Sequence, residues 1–415
     1  MPTDAPSRSM LDRMVDATPP GRDRYVDLLR AVSITVVVLW HWVGSVTHWT
    51  ASGRLSMPNP IEELPAGWAA TWVLQVIPVF FVVGGYANFV SLRSARTAGR
   101  TAGQFVRSRM ERLLRPVVPF AMTWVALDVA GRALVPGYPG VLHWGVVVFV
   151  PLWFLAVYAG VVALAPLTAA LHQWAPRSTI VALAAAIALV DVSRFRLDAP
   201  AVGYLNGGLV FVFAHQLGYW YADGTFTTWS RRRLLGLTTG ALTGLAVLTS
   251  WGPYPASMVA TPGAPLSNLN PPTAAIACLA VFQISVALLL RPAANRWLAR
   301  RGPWRAVIAA NSVIMTVFLW HMTAYVAAVA VVEALGGELG NEATTEWWLQ
   351  RPLWLVLPGL ALAPMVRTFR TWERPRPAPV SLAQAQEVDC GVDGRHTEHL
   401  QPDVDLGGRA RHDRS

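Results

Sequence analysis

The stretch RAVSITVVVLWHWVGSV, Arg30 to Val46, opens on an arginine, runs on through apolar residues and carries a histidine deep inside. A membrane span needs roughly 20 largely apolar residues to cross about 30 Å of hydrocarbon, and this run supplies them. An ionisable ring inside such a run is unfavourable in lipid, so its presence calls for a function. The rest of the chain has the same character. Of 415 residues, 53% are hydrophobic and 14% charged, against roughly 25% charged in soluble domains. The mean hydropathy is +0.38. Nineteen tryptophans suit the two membrane–water interfaces.

All 34 basic residues are arginine. Without lysine there is no P-loop and no Schiff-base or pyridoxal chemistry. A formal charge of +10 would suit nucleic acid, but the arginines cluster beside apolar runs, where cytoplasmic loops account for them. No nucleic-acid partner is expected; the lipid bilayer is. Cys278 in an apolar run and Cys390 in a polar one make neither a disulfide framework nor a metal site. The N-terminal residues are polar and lack the apolar core of a cleavable signal peptide, so the first span is expected to insert uncleaved.

Ten spans are predicted, at about 28–47, 69–91, 114–135, 147–171, 178–195, 204–222, 233–251, 272–291, 307–334 and 352–371. Asp191 and Arg194 shorten the fifth. Arginines crowd the N-terminus, the second loop (Arg93 to Arg112), the sixth (Arg231, Arg232, Arg233) and the eighth (Arg291 to Arg305). The alternate loops are nearly bare, although Arg196 runs against the trend, and the ninth carries Glu338, Glu342 and Glu346. The expected fold is therefore an all-α integral membrane protein, a bundle of about ten transmembrane helices with both termini cytoplasmic. Its expected location is a bacterial-type plasma membrane. A polar segment, 1–21, precedes the membrane domain, 22–372, and a disordered cytoplasmic tail, 373–415, follows. His396, His399 and His412 in that tail read as solvated rather than as metal ligands.

His41 has two readings. Between Trp40 and Trp42 it could sit in wet headgroups at the interface. Against this stands its spacing to Arg30: eleven residues return nearly to the same helix face, about 16 Å further along the axis. Both would face one groove, able to grip an anionic ligand at one end and act on it at the other. Further on, FVRSRMERLLRPVVPF sets Arg109, Arg112 and Arg115 at steps of three, on one side of a helix. Arginine forks bind phosphates bidentately. Phosphate at the cytoplasmic lip and an imidazole deeper in suggest a nucleotide-tailed donor such as acyl-CoA.

These residues resemble the membrane acyltransferase-3 family, which includes O-antigen and other glycan O-acetyltransferases. RYVDLLRAVSITVVVLWH is similar to the family's opening, with arginine and histidine separated by ten residues. PVFFVVGGYAN (78–88) resembles its second-helix segment, with Gly84 where serine is usual. RLLRPVVP (112–119), PLWFLAVY (151–158) and FLWHMTAY (318–325) resemble three further elements. The resemblance covers about residues 22–372. It implies that His41 is the catalytic base or acyl-handling residue, Arg30 its partner, and Arg112 with Arg115 the donor-binding pair, beside Arg109. It also marks His321 as a pocket residue. His215, in FVFAHQLGYW, serves interhelical hydrogen bonding or acceptor binding, and Trp153 packs or lines the donor channel. The seventh loop could cover the acceptor site. No hydrolase-like extracytoplasmic domain, present in some relatives, is legible, so the chain is expected to work alone or with a separate partner.

The expected function is O-acyl transfer, of an acetyl or other short group, from cytoplasmic acyl-CoA to a hydroxyl of a glycan or glycoconjugate. Acyl-CoA is then a co-substrate, with no bound cofactor and no metal. The alternative is a multi-span transporter or exporter that uses the intramembrane histidines. That would call for discontinuous spans at matching positions in two halves, and no internal repeat is visible.

Overall fold

The apolar runs fold as helices because a helix pairs its backbone N–H and C=O groups within its own segment. The computed structural model describes residues 9–61, 63–261 and 264–373. Its first helices are α1 (Met10–Asp16), α2 (Arg24–Val43), α3 (Gly67–Leu74), α4 (Ile77–Thr97), α5 (Ala102–Leu114) and α6 (Val117–Leu134). There follow α7 (Val141–Trp144), α8 (Val150–Trp174), α9 (Pro176–Arg196), α10 (Asn206–Ala222) and α11 (Arg231–Trp251). The last are α12 (Ala274–Leu298), α13 (Arg301–Asn311), α14 (Ile314–Ala334), α15 (Thr345–Leu349) and α16 (Leu353–Phe369). Among the described residues the strands are one two-residue antiparallel pair, β1 (His48–Trp49) with β2 (Leu55–Ser56).

Among the described residues eight segments are long and apolar enough to cross a membrane, including α2, the stretch Gly67–Thr97, α12 and α14. The sixth and tenth expected spans are helices of 17 residues, α10 and α16, each about 25 Å long. Every residue of α10 from Val210 to Tyr219 is buried, so this helix forms the axis of the bundle. The outer helices invert the soluble pattern: Met122 is 65% exposed, Val125 63% and Leu189 66%. Apolar surface of this kind is at home in lipid, not in water.

Three expected spans differ in detail. The second is broken, for α3 stops at Leu74 and α4 begins at Ile77 with Pro78 in its first turn. Proline has no N–H to give to the Leu74 carbonyl four residues back, so α3 cannot run on through it, and its fixed φ suits the first turn of a new helix. Gln283 on α12 donates from Nε2 to the Trp72 and Gln75 carbonyls at 3.1 and 2.9 Å, which satisfies groups the break leaves open. The ninth, expected at 307–334, is two helices. Asn311 ends α13, and Glu373 caps α14, accepting from the backbone N–H groups of Met315 and Thr316 at 3.0 and 3.1 Å. The fifth runs unbroken to Arg196 because Asp191 is satisfied inside the protein. It accepts from Asn206 Nδ2 at 2.8 Å, the Tyr254 hydroxyl at 3.0 Å and the Ala274 N–H at 2.7 Å.

Within the expected polar segment, α1 docks on α13 through Arg301, which pairs with Asp12 and Asp16 at 3.4 and 2.7 Å. The expected tail, with Cys390 and its three histidines, lies outside the described residues from position 374 onward.

Candidate active site

The site is strung along α2. Asp23 caps this helix, accepting from the N–H groups of Tyr25 and Val26, and the chain then presents Asp27, Arg30 and His41 in turn. Asp27 is 4% exposed and holds two arginines. Its carboxylate accepts from Arg22 Nε at 2.6 Å and Arg30 Nη2 at 3.0 Å. A carboxylate this deep requires such partners, since a buried unpaired charge is strongly unfavourable. Asp27→Ala is therefore expected to lower stability by about 3 kcal/mol, read as a fall in melting temperature in detergent.

Arg30 opens into a cavity of about 460 Å³ whose wall also carries Arg22, Arg109 and Arg112. The acidic groups there are already engaged: Asp27 by two arginines, Asp23 by the α2 cap and the Tyr221 hydroxyl, Glu373 by the start of α14. Arg109 donates from Nη2 to the Ala87 carbonyl at 2.9 Å and to Ser91 Oγ at 2.6 Å. Among the described residues Arg112 makes no direct hydrogen bond or ion pair within the site; its charge lies near the Glu373 carboxylate on the same wall, and its fork remains open to a ligand. Asn88 and Tyr158 add polar groups to the wall.

A second cavity of about 240 Å³ lies toward the other end of α2 and holds His41 and His321. The two rings are 5.2 Å apart, centroid to centroid. His41 Nδ1 lies 2.8 Å from the Val37 carbonyl, and His321 Nδ1 2.7 Å from the Phe318 carbonyl. A carbonyl only accepts, so each Nδ1 carries the hydrogen and each neutral ring keeps its lone pair on Nε2. Ser45 Oγ donates to the His41 carbonyl at 2.6 Å, and Trp42 Nε1 to the His321 carbonyl at 3.0 Å. The rest of the wall is mostly apolar, with Thr71 from α3 and Gln75 from the α3–α4 break. The seventh loop closes one side through Val259 and Ala260. It is strapped down by Asn59 Nδ2 on the Ala260 carbonyl (2.7 Å) and Trp72 Nε1 on the Ala256 carbonyl (2.8 Å).

Ile34 and Phe80 line both cavities, so the arginine cavity and the imidazole cavity abut at these two side chains. The family model described as "Acyltransferase domain", that of the acyltransferase-3 family, matches residues 23–368. The chain belongs to the acyltransferase-3 family. No curated protein and no solved structure matches it. It is thus a helical, multi-pass membrane acyltransferase, and both cavities lie within the family-matched region.

Not every site residue expected of an acyltransferase-3 protein meets the others. Arg30, Arg109 and Arg112 share one cavity; His41, His321 and Trp153 share the next. Arg30 and His41 line different cavities and stand about 16 Å apart along α2. Arg115, the C-cap of α5, lines neither. Steps of three drift around a helix, and six residues from Arg109 come round about 240° rather than a full turn. His215 also lies outside both; its Nε2 accepts from Asn88 Nδ2 at 3.1 Å, so it steadies Asn88 from behind. Three contributors escaped the sequence reading: Asp27, Tyr158 and Glu373. Asp27, one helical turn before Arg30, could have been found as an i,i+3 partner. Nothing local marks Glu373, which reaches α14 only through the fold.

Proposed function

We propose that this acyltransferase-3 protein moves an acetyl or other short acyl group from cytoplasmic acyl-CoA to a hydroxyl of a glycan or glycoconjugate. The acceptor stands on the far side of a bacterial-type plasma membrane. One observation carries the reading: a cation-rich cavity suited to phosphates abuts an imidazole cavity suited to acyl transfer, both on α2. The nucleotide end of the donor rests against Arg112 and Arg109, with Arg30 on the same wall. The flexible arm passes Ile34 and Phe80 and brings the thioester to His41, about 16 Å along the helix.

There, His41 Nε2 removes the proton of the acceptor hydroxyl as its oxygen attacks the thioester carbonyl. The tetrahedral intermediate collapses, the C–S bond breaks, and the departing thiolate takes the proton from the imidazolium. The products are an O-acyl ester and free CoA. His321 Nε2, buried and without a protein partner, faces the same cavity and orients the acceptor. Acyl-CoA acts as a co-substrate, and no bound cofactor enters the steps.

Purified protein in nanodiscs, given a panel of acyl-CoA donors and hydroxyl acceptors, is expected to release CoA and form ester, fastest with short acyl groups. Solute flux in proteoliposomes without acyl-CoA consumption would instead favour a transporter. The reading also orients the chain, with ten crossings, the arginine-rich loops and both termini in the cytoplasm. With Cys278 and Cys390 replaced, single cysteines at positions 256 and 342 are expected to react with impermeant thiol reagents on intact cells. Cysteines at 96 and 232 are expected to stay unlabelled. The reverse pattern would place the arginine cavity on the wrong side for a cytoplasmic donor.

A further inference from the structure

The phenol of Tyr158 occupies an unusual place. Its ring lies so close to Gly84 on α4 that a Cβ there would fall 2.7 Å from Tyr158 Cε2 and 2.9 Å from its hydroxyl oxygen. Any larger residue at 84 must push the ring aside. Three phenylalanines hold the other sides: Phe154 is stacked at 6.2 Å, and Phe80 and Phe81 meet the ring edge-on at 5.5 and 5.7 Å. Phe80 is one of the two residues shared by both cavities, so Tyr158 stands beside the neck between them. Around Tyr158 the wall combines apolar Ile34, Val83 and Val162 with Asn88, and the charges of Arg30, Arg109 and Arg112 reach the phenol. Asn88 gives its amide nitrogen to His215 and also stands within side-chain reach of the Tyr158 hydroxyl, so a ligand amide would share that hydroxyl with it.

On the reading that acyl-CoA is the donor, its arm carries two amide groups through this neck. An amide taken from water into an apolar passage is unfavourable unless it finds a hydrogen-bond partner. A tyrosine hydroxyl both donates and accepts, so it can serve either end of an amide. We propose that Tyr158 is a donor-binding residue whose hydroxyl, seated against Gly84, hydrogen-bonds the amide groups of the pantetheine arm at the neck between the two cavities. Gly84 is then the socket that lets the phenol stand there without closing the passage.

The test compares acyl-CoA with acyl-pantetheine, which keeps both amides and lacks the nucleotide. Tyr158→Phe preserves the ring and is expected to leave kcat near the native value while raising KM about three- to tenfold for both donors alike. Gly84→Ala, which crowds the ring, is expected to raise KM in the same direction. A Tyr158→Phe protein with native KM for both donors would overturn the assignment. So would a rise confined to acyl-CoA, since the hydroxyl would then serve the nucleotide. If the native protein consumes neither thioester, the acyl-CoA reading falls first and this assignment with it.

Discussion

His41→Gln is expected to fold, insert and bind acyl-CoA with near-native affinity, and to lose transfer by about 10²- to 10⁴-fold, the usual contribution of a positioned general base. Glutamine keeps a hydrogen-bonding group but cannot take a proton. In the proposed mechanism donor binding rests on the arginine cavity, which His41 does not line, so affinity and turnover should separate. His41→Ala should behave in the same way. His41→Phe removes a polar group from an apolar helix and is expected to raise the melting temperature while abolishing transfer. Stability that rises as activity disappears is the pattern of a functional residue. Near-native transfer by both the Gln and Ala variants would make His41 a packing residue and end the mechanism proposed for it.

Arg112→Ala is expected to weaken acyl-CoA binding by roughly ten- to a hundredfold, since hydrogen bonds to charged groups contribute about 1.5–3 kcal/mol. Among the described residues it makes no direct hydrogen bond or ion pair in the site, but its charge supports the buried Glu373 carboxylate, so a small fall in melting temperature is expected beside the loss of affinity. Arg112→Lys keeps the charge and loses the bidentate geometry, so it should restore affinity only in part. Arg109→Ala should weaken binding too, but with some loss of stability, because Arg109 also ties α5 to the Ala87 carbonyl and Ser91 on α4. Arg115 lies off the cavity, and Arg115→Ala is expected to change donor affinity less than Arg112→Ala. The readout is titration of acyl-CoA binding at fixed ionic strength, because exposed charges are screened by salt. Native donor affinity in Arg112→Ala would reduce the arginine pair to a topology signal.

How far the sequence reaches can be traced residue by residue. The helical class and the position of most membrane segments are legible, because hydrocarbon imposes a length and a composition that survive as a plain run of apolar residues. The spacing of Arg30 and His41 on one helix is legible for the same reason, since a helix converts sequence distance into a fixed rise and rotation. The breaks are less so. Pro78 flags the gap between α3 and α4 only in hindsight, and the interruption at Asn311 depends on its bond to the Asp27 carbonyl, 284 positions away in the chain.

The tertiary structure alone decided which polar residues meet. It brought His321 within 5.2 Å of His41, left His215 behind Asn88, and set Tyr158 against Gly84. It also divided a single imagined groove into two cavities that abut at Ile34 and Phe80. The physical reason is the same in each case. Backbone geometry and hydropathy act over one or two helical turns, so they are written in local sequence. Which helix faces meet depends on packing between segments far apart in the chain, and apolar runs of similar composition carry little record of it.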